Sequence, residues 1–329
     1  MLVGLAFPQA LTVAAPCGRF DGGFSFRWSW GELVMNLSSK QVPTRVAKLA
    51  GREVTPAHAD CVSHLDSSSP DDYRELAALL ACEWVSHVPK CVGLAGGQGA
   101  GKSTLGRLIE SACASVGIRA CVLSLDDFYL PRPHRKALAA RVHPLLETRG
   151  PPGTHEILRC REAMARLGKS GEIELPIFDK GLDDRSGTRR VRGPFDLVLL
   201  EGWCVGAGPV VETSLTKPIN MLEREQDANA IWRRYVNAQL GEAYAETWRA
   251  LDYLVYLRVP DLEAVRRWRL EQEDSLPAHQ RLGSEAVDRF VQHYERITLA
   301  MMDSLPSRAD LTVELADDHS IAALAFRSG

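Results

Sequence analysis

The chemistry of this chain gathers in one glycine-rich stretch, two acidic strand ends and a run of arginines. Gly96-Gly97-Gln98-Gly99-Ala100-Gly101-Lys102-Ser103-Thr104 fits the phosphate-binding pattern G-x4-G-K-[ST]. Its glycines let backbone N–H groups close around a phosphate where a side chain would collide. Lys102 puts a cation at the outer phosphates, and the Ser103 hydroxyl suits a Mg²⁺ that bridges them. The pattern therefore predicts a nucleoside triphosphate site that suits Mg²⁺. Asp126-Asp127 follows the apolar run RACVLSL, and Glu201 ends the run PFDLVLLEGW. An acid beside a triphosphate can accept the proton of an attacking hydroxyl or serve the metal side. Asp126 is the candidate base, with Asp127 able to exchange roles with it, and Glu201 is the candidate magnesium-side acid. Arg266, Arg267 and Arg269 lie close together on a predicted helix and could close over the γ-phosphate, the alternative being a solvated helical face.

These residues need a scaffold that brings strand ends together. Residues 90–95 read as a buried strand entering the glycine loop, and 102–116 as a helix with apolar Leu105, Leu108 and Ile109, stopped by Gly117. Strand, loop and helix N-terminus present free N–H groups to an anion. Further strands are predicted at 119–125, 194–203, 251–259 and a last one at 309–315. Helices are predicted over 156–167, 222–250, 261–274 and 284–303, and one opens at Ser69-Pro70 with Ser69 as its cap. The segment 130–155 reads as loop with one short helix, and 174–190 as a surface loop or β-excursion. Strands alternating with helices argue for an α/β fold, a three-layer α/β/α arrangement with a mainly parallel sheet whose ligands gather at the strand carboxyl ends. The expected division is an extension over residues 1–68, with no clean period, and one domain over 69–329.

Composition narrows the class. Hydrophobic content of 45%, charged content of 25% and net charge of −3 across 329 residues are those of an ordinary globular chain. No basic excess points to nucleic acid or to a membrane surface, so a small-molecule substrate is the expected partner. The eight cysteines are scattered without a C-x-x-C pair, as buried free thiols in a reducing compartment would be. The first 17 residues lack a basic n-region and carry Pro8 within their apolar run, and a cytoplasmic location is expected.

Taken in order, several segments resemble one family. SLDDFYL is like the S-x-D-x-F-Y element of the uridine kinase, phosphoribulokinase and pantothenate kinase group. RGPPGTHE, LPIFDKGLDDR, LEGW, INMLEREQDANAIWRRYVNAQL, RRWRLEQE and AVDRFVQHYERI resemble, in that order, segments of the D-glycerate 3-kinase family of that group. The resemblance spans roughly residues 75–320. It implies a P-loop kinase fold with a helical lid and ATP-dependent phosphorylation of the 3-hydroxyl of D-glycerate. Carried over by position, it makes Asp126 the base beside Lys102, gives Ser103 and Glu201 to Mg²⁺, and puts Arg266 or Arg269 in the lid. Asp127, Tyr129, His155, Asp179, Lys180, Asp184, Arg185 and Trp203 fall in segments that would face the acceptor. Glycerate is a small anion with two hydroxyls, so Lys180 and Arg185 suit its carboxylate and His155 and Asp179 its hydroxyls. Asp317 and His319 are expected to border the adenine. The chain departs from the family at Phe178, Gly181, Pro151 and Cys204–Gly208, where the acceptor would bind. That leaves open another small hydroxylated acceptor (a nucleoside, pantothenate or a sugar phosphate), and a regulatory nucleotide-binding ATPase is the reading from a different class.

Overall fold

Strand β1, Cys91–Gly96, runs through the centre of the computed structural model, which describes residues 44–274, 281 and 283–327. It pairs in parallel with β5 (Leu197–Gly202) on one side and β6 (Tyr253–Arg258) on the other. The full order is β2 (Ala120–Ser124), β5, β1, β6, β7 (Leu311–Leu315) and β8 (Ile321–Phe326). Every pair is parallel except β7 with β8, so the sheet is mixed and mainly parallel. The expected last strand at 309–315 is therefore followed by one more. β8 is an edge strand, half of it alanine, and only Ile321 in it is buried, which leaves little apolar alternation to read.

Neighbouring strand residues enter opposite cores, as the pleat requires. Leu94, Leu197 and Leu199 pack with Tyr73, Leu76 and Leu80 of α3 (Asp71–Trp84) and with Leu105, Leu108 and Ile109 of α4 (Lys102–Ser115). Val198 and Leu200 pack on the other face with Cys160, Met164 and Leu167 of α6 (Ile157–Leu167). Two cores with one sheet between them make the three layers. Among the described residues, no helix is long and apolar enough to cross a membrane.

Residues 44–68 carry more structure than their sequence period suggests. Thr44 and Thr55 cap two short helices, α1 (Arg45–Ala50) and α2 (Pro56–Ser63), whose Val46 and Cys61 join the core around α3. Ser69 does not cap α3; its hydroxyl turns to Asp66 and the helix opens on Pro70. Residues 1–43, including Cys17, lie outside the described residues. The stretch 130–155 holds the helix α5 (Arg132–Arg141) and a short 3₁₀ turn, and 171–193 forms a separate antiparallel hairpin of β3 (Gly171–Asp179) and β4 (Asp184–Gly193). The helical stretch expected at 222–250 is broken into α7 (Met221–Gln226), α8 (Ile231–Gln239), a π turn and α9 (Ala245–Trp248). Asp227 ends α7 and accepts the N–H groups of Trp232 and Arg233 at 2.9 and 3.1 Å, which starts α8 afresh. Helices α10 (Leu262–Asp274) and α11 (Ser284–Ser304) lie side by side, close to their expected bounds.

Candidate active site

The glycine loop leaves β1 at its carboxyl end and turns into α4. Gly99 and Gly101 have φ of +79° and +75°, and a Cβ there would lie 2.6 Å from Trp268 Cβ and 2.6 Å from Tyr73 Cε2, respectively. Both the backbone conformation and the packing demand glycine. The Tyr73 hydroxyl donates to the Ala100 carbonyl at 2.8 Å, fastening the loop to α3. Lys102 Nζ donates to the Gly97 carbonyl at 2.8 Å, so the ammonium curls over the loop. Removal from water pushes the Lys102 pKa down, opposed by the charges of Glu201 and Asp126.

Register brings the second element in. Glu201 of β5 lies opposite Ser124 of β2 and Leu94 of β1. Its buried carboxylate accepts from Ser124 Oγ at 2.7 Å and from Ser103 Oγ at 3.1 Å on the same oxygen, Oε1. The ends of β2 and β5 and the first turn of α4 thus meet at one oxygen-rich point.

Asp126 stands in the 3₁₀ turn after β2. Lys180 Nζ is 2.7 Å from its Oδ2, and the Tyr129 hydroxyl donates to its Oδ1 at 2.8 Å. Burial alone would raise the Asp126 pKa; the Lys180 charge, with hydrogen bonds from Lys180 and Tyr129, outweighs it and brings the value down to about 2. The same attraction holds Lys180 firmly cationic. Asp127 is turned aside, accepting the Phe178 N–H at 3.2 Å, and burial raises its pKa. Behind Tyr129, His155 stacks with ring centroids 4.6 Å apart, and its Nδ1 is 2.6 Å from the Tyr244 hydroxyl. That hydroxyl also accepts the Gly153 N–H at 2.9 Å. Burial lowers the His155 pKa to about 4, which keeps the ring neutral.

Gln98 and Thr104 of the loop, Asp126, Tyr129, Lys180, Glu201, Trp203 and Tyr294 line one cleft. Arg269 reaches it from α10, paired with Glu273 and lying 5.0 Å over the Phe290 ring. Other expected site residues lie elsewhere. Arg266 faces α11, 3.9 Å from Asp288 and 3.8 Å from Glu295. Asp179 accepts the N–H groups of Gly181 and Leu182 and so shapes the hairpin turn. Asp184 accepts those of Arg132 and Arg185. Arg185 donates to the Tyr129 carbonyl at 3.0 Å and to Glu156 at 2.9 Å, bracing the cleft wall from behind. Asp317 and His319 gather at Trp268, whose ring stacks on His319 with centroids 4.1 Å apart.

No family model matches the chain. An uncharacterised kinase of Schizosaccharomyces pombe, mug58, is 30% identical over 221 residues, which are 63% of this chain and 78% of that protein. The chain belongs to the P-loop kinases of the D-glycerate 3-kinase, uridine kinase and phosphoribulokinase group. The chloroplastic D-glycerate 3-kinase of Arabidopsis thaliana is 29% identical over 250 residues, or 70% of this chain and 52% of that protein, so the match spans about half of that relative. The structure of D-glycerate 3-kinase from Cryptococcus neoformans var. grubii aligns over 78% of this chain and 99% of its own with a TM-score of 0.62 at 25% identity.

Residues at the site of this P-loop kinase that were not singled out from sequence include Arg149, Phe290 and Tyr294, which line the cleft, and Ser124, which bonds Glu201. Each lies inside a segment that carries the resemblance, SLDDFYL, RGPPGTHE or AVDRFVQHYERI, but periodicity could not tell which side chain of a segment turns inward.

Proposed function

We propose that this P-loop kinase transfers the γ-phosphoryl group of ATP to the 3-hydroxyl of D-glycerate, giving 3-phosphoglycerate and ADP. The observation that carries the reading is Asp126 paired with Lys180 in the same cleft as Lys102 of the phosphate loop. A carboxylate held ionised by a neighbouring cation, in the same cleft as the phosphate loop, suits a hydroxyl acceptor. The acceptor O3–H donates to Asp126. As the O3–P bond forms and the bond from phosphorus to the departing ADP oxygen breaks, the proton passes to the carboxylate. Phosphoryl transfer runs through a loose transition state, so a base of low pKa that takes the proton late is adequate. Lys102 steadies charge on the outer phosphates, and Arg269 lines the same cleft. Ser103, Glu201 and Ser124 offer hard oxygen donors that suit Mg²⁺, which supplies charge neutralisation across the phosphates. Among the described residues no group of three or more His, Cys, Asp or Glu side chains could hold a metal ion.

The test is ADP release with ATP, Mg²⁺ and a panel of D-glycerate, L-glycerate, uridine, pantothenate and ribulose 5-phosphate. Turnover on D-glycerate is expected, falling by about 10²- to 10⁴-fold in Asp126→Asn with ATP binding retained. Turnover on another member with none on D-glycerate overturns the acceptor. ATP hydrolysis indifferent to every compound overturns the kinase reading in favour of a nucleotide switch.

A further inference from the structure

Arg149 is the cation that neither periodicity nor spacing marked. It lines the cleft with Asp126, Tyr129 and Lys180, and its charge acts on Tyr129 and Lys180. Among the described residues it makes one hydrogen bond, from Nη1 to Asp183 Oδ1 at 2.5 Å. The remaining N–H groups of its fork are left for a ligand. Asp183 does not neutralise it fully, because the other carboxylate oxygen, Oδ2, lies 3.0 Å from Nη2 of Arg135. Arg135 is 1% exposed, with further bonds to the carbonyls of Leu130, Glu147 and Asp183. Two guanidiniums therefore share one carboxylate, and a net positive charge remains at the cleft. The next acid, Asp184, is engaged by the backbone N–H groups of Arg132 and Arg185.

The position of Arg149 is fixed by the cleft's own walls. The Tyr294 hydroxyl donates to the Arg149 carbonyl at 2.8 Å, and Trp203 Nε1 donates to the Gly150 carbonyl at 3.2 Å. Gly150 has φ of +117°, and a Cβ there would lie 2.1 Å from the Tyr294 oxygen, so Tyr294 can take this seat only over a glycine. The guanidinium lies 5.6 Å from the Phe178 ring centre, against an aromatic wall that limits water and strengthens the attraction for an anion. Arg185, the other cation expected to meet an acceptor carboxylate, is turned to Glu156 and the Tyr129 carbonyl instead. Lys102 serves the triphosphate end, and Lys180 is held at Asp126.

We propose that Arg149 is the specificity-determining residue of this kinase, binding the carboxylate of a small hydroxy-acid acceptor and so discriminating it from neutral polyols. The proposal rests on the hydroxy-acid reading of the acceptor site. Steady-state kinetics with D-glycerate and with glycerol, for wild type, Arg149→Lys and Arg149→Met, test it. Arg149→Met is expected to raise KM for D-glycerate about 10- to 100-fold while the weak turnover of glycerol is unchanged. KM for ATP should stay within about twofold of wild type, since the lost hydrogen bonds belong to the acceptor. Arg149→Lys keeps the charge without the planar fork and should recover part of the loss. An unchanged KM for D-glycerate in both variants overturns the assignment, as does an equal loss on glycerate and glycerol. A raised KM for ATP would mark Arg149 as a phosphate ligand and overturn it too. Wild-type enzyme that turns over glycerol as well as D-glycerate overturns the selectivity while leaving the kinase reading intact. Wild-type enzyme with no turnover of D-glycerate or L-glycerate removes the acceptor reading itself.

Discussion

The ammonium of Lys180, on the β3–β4 hairpin turn, lies 2.7 Å from Asp126 Oδ2 at the end of β2, 54 residues earlier in the chain. The pair joins the hairpin to the main sheet at the point where a base is wanted. Removing Lys180 takes away the largest influence holding the Asp126 pKa down, and burial then drives it up. With Asp126 as the proposed base the active form is the carboxylate, so the acid limb of kcat/KM in Lys180→Met should move to higher pH, by about 1 to 3 in pH. A pH–rate profile with D-glycerate checks this. An unmoved acid limb would mean that Asp126 does not limit the rate at low pH.

Glu201 gathers Ser103 and Ser124 on one carboxylate oxygen. Glu201→Gln keeps the shape but loses the charge, so the Mg²⁺ concentration for half-maximal activity should rise about 10- to 100-fold. Titrating Mg²⁺ at fixed ATP measures it. A lower kcat with no change in Mg²⁺ demand would assign Glu201 to another role.

Gly101→Ala asks a non-glycine residue to hold φ of +75° and to place its Cβ 2.6 Å from Tyr73. The left-handed backbone alone costs about 1–2 kcal/mol, and the tyrosine ring must also shift. The variant should melt below wild type and bind an ATP analogue more weakly. Pairing it with Tyr73→Ala should restore part of the binding, because the collision is removed and the backbone cost is not.

His155 and His293 are both buried with pKa values lowered to about 4, in each case chiefly by loss of water. Unfolded, each takes a proton near pH 6.5, so between that value and about 4 the unfolded chain binds more protons. Stability should therefore fall as pH drops through this window, by on the order of a few kcal/mol per histidine. The carboxylates with lowered pKa, such as Asp126, lose their contribution only below their ordinary range near 3.8. Denaturant midpoints from pH 7.5 to pH 4.5 measure the slope. His293→Phe, away from the cleft, should flatten it even if it lowers stability at pH 7.5.

Much of the scaffold was legible because its signals are local. The phosphate loop, the helix of Leu105, Leu108 and Ile109, and the strands ending at Gly96, Ser124 and Gly202 are fixed by runs of residues that are near each other in sequence. The acids Asp126 and Glu201 were found because strand ends in a parallel sheet must meet. β8 was not found, since an edge strand that buries only Ile321 carries no alternation. The break at Asp227 was also missed, because residues 222–250 keep a helical composition across it and the stop comes from two side-chain bonds to backbone N–H groups.

The sequence by itself therefore determined the phosphate end of the cleft, where chemistry depends on consecutive residues in a strand–loop–helix unit. Tertiary structure alone decided the rest of the cleft. Asp126 rather than Asp127 meets Lys180, because the 3₁₀ turn after β2 aims one carboxylate into the cleft and gives the other to the Phe178 N–H. Arg149 rather than Arg185 faces the cleft, because Tyr294 and Trp203 pin the 149–150 backbone while Glu156 draws Arg185 behind the wall. A loop side chain takes its direction from partners far away in the chain, and spacing along the sequence carries no record of them.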